Sequence, residues 1–173
     1  RGTFYPAGVE RSGFLPYYSG LFSTVELNFS YYRIPGEKQT AGILARGGGE
    51  LDFSIKAHES LTHRIDPGTW RESLRAYRAG IAPLVDSGRL AAVLLQFPYS
   101  FHYTPENRRY LDALLGEMSG LPLAVEFRIA EWHNNRVFDA LRKRGIAFCS
   151  VDEPALKGLP PPLDIVTAPL AYV

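Results

Sequence analysis

The sequence is short of the features that mark several large protein classes. Its only cysteine is Cys149, so no internal disulfide forms, and a reducing, cytoplasmic setting is the default expectation. Nineteen basic residues face eighteen acidic ones, a net charge of +1. That excludes a domain-wide basic field for nucleic acid but leaves room for a local patch. The longest apolar runs, such as Leu90 to Leu95, fall far short of the roughly 20 residues that a membrane-spanning helix needs. No charged-then-apolar leader follows Arg1, so no signal peptide is read there. There is no low-complexity tract, and the Pro160-Pro161-Pro162 stretch reads as a rigid loop.

What is present is ordinary globular material: 173 residues, 46% hydrophobic and 21% charged. The length predicts one domain over 1–173 with a single sizeable core. Six β-type runs stand out: Thr24–Ser30, Asp52–His58, Ala91–Pro98, Leu123–Arg128, Ile146–Asp152 and Ile165–Val173. Helical patterns lie between them. A short one is expected at Pro16–Phe22, followed by Gly36–Ala45 and by Thr69–Asp86, where Pro83 threatens the last turns. Thr104 followed by Pro105 and Glu106 is a helix start. Another helix begins near Asn134 or Asn135 and ends in Arg142, Lys143, Arg144 and Gly145, cations and then glycine.

Strand alternating with helix predicts a parallel sheet, either closed as a barrel or doubly wound. The strand faces decide. A doubly wound sheet, covered on both faces, has continuously apolar strands. Here Val25 and Leu27 alternate with Glu26 and Asn28, Phe53 and Ile55 with Ser54 and Lys56, and Val125 and Phe127 with Glu126 and Arg128. One face is apolar for helices and the other turns polar toward the carboxyl ends, as in a (β/α)₈ barrel. The last strands place Ser150 and Asp152 on the polar face and Cys149, an inert thiol, on the helix side.

The polar residues at those ends are Glu26, Asn28, Lys56, His58, Gln96, Glu126, Arg128 and Asp152. So many charges from separate strands are costly unless paired or used. A structural network would pair Arg128 with Asp152 and Lys56 with Glu26. As a set, they point to a ligand or active site.

Several segments also match a known family. FYPAG, FSTVELNFSYYRIP, FSIKAHESLTH, LLQFPYSF, LAVEFRIAEW, SVDEP and the terminal AYV make the chain resemble the YecE-like proteins, domain-of-unknown-function family 72. The resemblance implies a (β/α)₈ TIM barrel and no established reaction. It implies site positions at Glu26, Asn28, Tyr32, Arg33, Lys56, His63, Gln96, Glu126, Arg128, Trp132 and Asp152. The sequence departs from the family pattern where a histidine is replaced by Ile129 and where a tryptophan is missing from Gly36–Ala45. The family's first strand and its last segment also have no counterpart here. Six strands are visible in place of eight, and the expectation is an interior portion of a longer chain, an open barrel prone to associate through its edges. The oligomeric state itself stays open.

Three functions compete. The first is an enzyme acting on a small polar or anionic substrate, a hydrolase being the natural example. Glu26, Glu126 and Asp152 would be the catalytic carboxylates. Asn28, Tyr32, Arg33, Lys56, His63, Gln96, Arg128 and Trp132 would bind substrate. The second is a nucleic-acid binder or metal-dependent phosphodiesterase. The carboxylates with His58 and His63 would hold a divalent metal, although Lys56 and Arg128 oppose it, so no cofactor is assigned. Fifteen arginines against four lysines suit phosphate, and arginines 33, 64, 108, 109 and 136 ringing the site would favour this reading. The third is a silent binding scaffold.

Overall fold

The computed structural model describes residues 4–151 and 163–173. Five strands form one parallel sheet in sequential order: β1 Thr24–Leu27, β2 Asp52–Lys56, β3 Leu90–Phe97, β4 Leu123–Phe127 and β5 Ala147–Phe148. Between and before them lie α1 Phe14–Ser19, α2 Phe29–Tyr32, α3 Glu37–Gly47, α4 Trp70–Asp86, α5 Pro105–Glu117 and α6 Asn135–Arg144. Each strand pairs with the next in sequence, so the order never reverses as it does in doubly wound sheets. Among the described residues no helix is long and apolar enough to cross a membrane.

The alternation read from the strands sorts the two faces. Phe53, Ile55, Val93, Leu95, Phe97, Val125 and Phe127 are buried in the main core against the helices. The helices return Leu74, Tyr77, Ile81 and Leu84 from α4, Leu114 from α5 and Phe138 and Leu141 from α6. The opposite face carries a separate small cluster of Ala92, Leu94, Ala124, Ala147 and Cys149. Small side chains dominate this inner face, the one turned away from the helices.

The helix starts behave as the sequence predicts. The Thr104 side chain accepts the amide of Asn107 at 3.2 Å, and the Asn134 side chain accepts that of Val137 at 3.1 Å. Gly145 closes α6 in the left-handed conformation, φ 63°, which spares the Cβ crowding any other residue would meet.

Three expectations are corrected. The run Thr24–Ser30 stops as a strand at Leu27, because Phe29–Tyr32 coils into a helical turn. Its buried Ser30 hydroxyl lies 3.1 Å from the Leu27 carbonyl and 2.6 Å from the Lys56 carbonyl, tying that turn to β2. The run Ile165–Val173 forms no strand, only an isolated parallel bridge between Tyr172 and Cys149. The reason is local. The Thr167 hydroxyl accepts the Phe148 amide and donates to the Ile146 carbonyl, both at 2.7 Å, so a side chain takes ladder bonds the backbone would have made. Pro169 then lacks a ladder donor. Among the described residues the sheet therefore has five strands, not six. Finally, Cys149 lies on the inner face rather than against the helices. Phe148 takes the helix side and shifts the alternation of that strand by one. Asp152 lies outside the described residues.

Candidate functional site

The parallel register sets the inner face of three neighbouring strands. Lys56 pairs with Leu94, and Gln96 pairs with Glu126 one pleat further along. The long lysine side chain spans that step, so its Nζ donates to Gln96 Oε1 at 2.6 Å. The Gln96 amide nitrogen donates in turn to both oxygens of Glu126, at 2.8 and 2.7 Å. Glu126 Oε1 also accepts Arg128 Nε at 3.1 Å. The result is a continuous chain, Lys56–Gln96–Glu126–Arg128, in which only Gln96 and Glu126 are buried.

The order of groups in this chain matters. An amide, not a carboxylate, is the direct partner of Lys56. Loss of water around the amine pushes the lysine pKa below its ordinary value, and the charge of Arg128 adds to that. The carboxylates of Glu126 and Glu26 oppose it. The Tyr31 ring covers the amine from 4.9 Å and meets the His63 ring edge-on at 4.9 Å between centroids. Burial is the main cause that lowers the pKa of His63, seconded by the nearby charges of Lys56 and Arg128.

Two cavities open on either side of this chain. One, of about 280 Å³, is walled by Asn28, Tyr31, Tyr32, Lys56, His63, Gln96 and Arg128. The other, of about 330 Å³, has Glu26, Glu126, Cys149 and Tyr172 facing Lys56 and Arg128. The Tyr172 hydroxyl donates to Glu26, so the segment beside β5 reaches a residue of β1 across the hollow of the sheet. Desolvation, aided by the two glutamates, pushes the Cys149 thiol up to about 12, so it is an inert wall and not a nucleophile.

Of the positions named from sequence, the structure brings together Glu26, Asn28, Tyr32, Lys56, His63, Gln96, Glu126 and Arg128. It does not bring in Arg33, which is exposed outside both cavities. Trp132 is likewise elsewhere. It is 1% exposed and stacked between Phe127 and Phe101, with its indole nitrogen donating to the Phe101 carbonyl at 2.6 Å. His58 caps a turn by accepting the Ser60 amide. Lys56 holds Gln96 in place of the expected Glu26, and Arg128 holds Glu126, while its expected partner Asp152 lies outside the described residues. Tyr172 is an addition. Tyr31 reaches the amine because the Phe29–Tyr32 turn replaces a strand. Among the described residues no three His, Cys, Asp or Glu side chains are grouped to hold a metal ion.

A parallel α/β sheet with a polar network at its carboxyl edge is the class defined by this fold and site. The chain belongs to the family described as "Protein of unknown function DUF72", matched over residues 1–173. It is 28% identical over 162 residues to the UPF0759 protein YunF of Bacillus subtilis, covering 89% of this chain and 57% of that protein. It thus spans little more than half the length of that relative. Among solved structures, a DUF72 family protein of Thermotoga maritima, TM1631, is 36% identical with a TM-score of 0.85, over 99% of this chain and 67% of that one. A DUF72 family protein of Enterococcus faecalis, EF0366, is 26% identical with a TM-score of 0.83, over 91% and 66%.

The histidines make stability sensitive to acid. Burial lowers the pKa of His58, His63 and His133 below the ordinary 6.5. The His133 ring lies against Phe138 and Phe148, its Nε2 3.0 Å from the Phe127 carbonyl and its buried Nδ1 without a partner among the described residues. A depressed folded pKa means that the unfolded chain binds more protons, so this stability is complete above about pH 6.5 and declines as pH falls. The urea midpoint is expected to be lower at pH 5.5 than at pH 7.5, and His133→Phe should narrow the difference. Equal midpoints at the two pH values would show that the three rings do not resist protonation.

Proposed function

We propose that the five strands are an arc of a (β/α)₈ barrel, and that its carboxyl-end mouth binds a small polar anion and acts on it by acid–base chemistry. The observation that carries this reading is the Lys56–Gln96–Glu126–Arg128 chain on three adjacent strands, opening on a cavity of about 280 Å³. Sequential strand order and small inner side chains support the barrel. Lys56 and Arg128 supply the charge that would hold a phosphate or carboxylate. Asn28, Tyr31 and Tyr32 supply polar and stacking contacts. Glu126, with Glu26 across the second cavity, supplies the acid and base. Gln96 keeps Glu126 from quenching Lys56 directly, so both charges stay available.

The arginine distribution favours a small ligand over nucleic acid. Arg108, Arg109 and Arg136 line a groove on the helix side and do not ring the mouth, and Arg64 is paired with Glu59 at 3.1 Å.

Sulfate titration by calorimetry tests the reading, because sulfate keeps its charge across the working pH range. Saturable binding is expected, at least tenfold weaker in Lys56→Met and in Arg128→Met. Affinity should rise as pH falls well below 6.5, because burial lowers the His63 pKa and the ring gains its proton only there. Binding that neither substitution weakens would remove the anion from this mouth.

A further inference from the structure

We infer that the groove between α5 and α6, on the opposite face of the sheet from the mouth, is a second ligand site that takes a small organic anion with an apolar body. The two helices leave a cavity of about 520 Å³, within the roughly 300–1,000 Å³ of small-molecule pockets. Its floor is aliphatic: Leu111 and Leu115 from α5, Val137 and Leu141 from α6. Its rims are charged with one sign, four arginines (Arg108, Arg109, Arg136 and Arg144) against a single acid, Asp112.

The two ends of the groove differ, and the difference orients the ligand. At one end Arg144 crosses from α6 to Asp112 of α5, an ion pair that ties the rims together. At the other end lie the N-termini of both helices with Arg108, Arg109 and Arg136. Among the described residues none of these three arginines has a carboxylate partner in an ion pair. The Nε of Arg108 is buried with no hydrogen-bond acceptor among the described residues, and its guanidinium is held over the Tyr103 ring at 5.1 Å.

Positive side chains beside a helix N-terminus oppose the helix dipole, which favours acids there. The first turn of α6 holds no acid, and Arg136 stands in it. Glu106 stands in the first turn of α5 but does not line the groove, so the α6 N-terminus and three arginines with no carboxylate partner among the described residues concentrate positive potential over an apolar trough. A local arrangement that works against helix stability is accounted for when an anion completes it. The acid group, a carboxylate, sulfonate or phosphate ester, lies at the Arg108–Arg136 end. The apolar body lies along the floor toward Arg144.

The dye 8-anilinonaphthalene-1-sulfonate has this chemistry and brightens when it leaves water. Titrated into the protein, it should bind saturably with one site. The double substitution Arg108→Gln, Arg136→Gln should weaken it at least tenfold. Ala140→Trp, which places an indole in the groove from an exposed helix position, should remove the site. Near-ultraviolet circular dichroism should show both variants folded, separating loss of the site from loss of structure. Lys56→Met, which alters only the mouth, should leave dye affinity unchanged. Non-saturable brightening, or an affinity that neither groove variant reduces, would overturn the proposal whatever the result of the sulfate titration.

Discussion

Sulfate is expected to bind Glu126→Gln about tenfold more tightly than it binds the unaltered protein, a gain of ~1.4 kcal/mol. The carboxylate of Glu126 sits between the two cations of the mouth, held by Gln96 on one side and by Arg128 at 3.1 Å on the other. It offsets part of the field that an incoming anion would feel. The glutamine keeps the shape and one accepting oxygen, and removes the charge. Under the proposed acid–base role, the same change should stop turnover of a substrate bound there while binding strengthens. It also sets an amide opposite the Gln96 nitrogen in a buried position, which should cost about 1–3 kcal/mol of stability through the unmatched donor. Val125→Ala is the control. The neighbouring side chain faces the helices and is fully buried. Its truncation should cost about 1–3 kcal/mol by lost burial and a cavity, with sulfate affinity unchanged. Calorimetry and urea unfolding on the two variants separate the roles. If Glu126→Gln lost sulfate binding together with its stability, Glu126 would be a keystone of the cavity walls and not the counter-charge of the site.

Gly80→Ala should be the most damaging small substitution outside the mouth. In the interior of a helix such as α4, exchanging glycine for alanine ordinarily stabilises by about 1 kcal/mol. Here the sign reverses. A Cβ at position 80 would lie 1.9 Å from the Pro35 carbonyl oxygen and 2.9 Å from its carbonyl carbon. Both are backbone atoms and cannot rotate away. The same close approach lets the Thr40 hydroxyl of α3 donate to the Gly80 carbonyl at 2.6 Å inside the protein. Forcing the two segments apart breaks that bond and loosens the packing of α3 on α4. A loss of about 3 kcal/mol, the upper end for overpacking, is expected, read as a lower urea midpoint with an unchanged slope. A neutral or stabilising alanine would mean that α4 shifts freely against the loop at Pro35.

The sequence by itself determined which residues share the polar face of β1, β2 and β4. A two-residue period leaves no choice once one face is apolar, so Glu26, Lys56 and Glu126 had to stand on the other. The run of β3 is apolar up to Gln96, and its register against β4 set Gln96 beside Glu126. The sequence also determined the helix starts at Thr104 and Asn134, where a side-chain oxygen beside orphan amides is a local signal. The resemblance carried by the motifs led to the family that the whole chain matches. Tertiary structure decided the rest. The side of Cys149 depended on which residue of a two-residue strand met the helices. The fate of the Ile165–Val173 run depended on the Thr167 hydroxyl, whose partners lie some twenty residues earlier. Trp132 went to the core because Phe127 and Phe101 offered it faces to stack on. Charge alone suggested Lys56 with Glu26, yet Lys56 met Gln96, because strand register, not opposite sign, sets which groups come within hydrogen-bonding reach. Periodicity is encoded residue by residue along the chain. Partners are chosen by distances between segments that only the packed fold brings together.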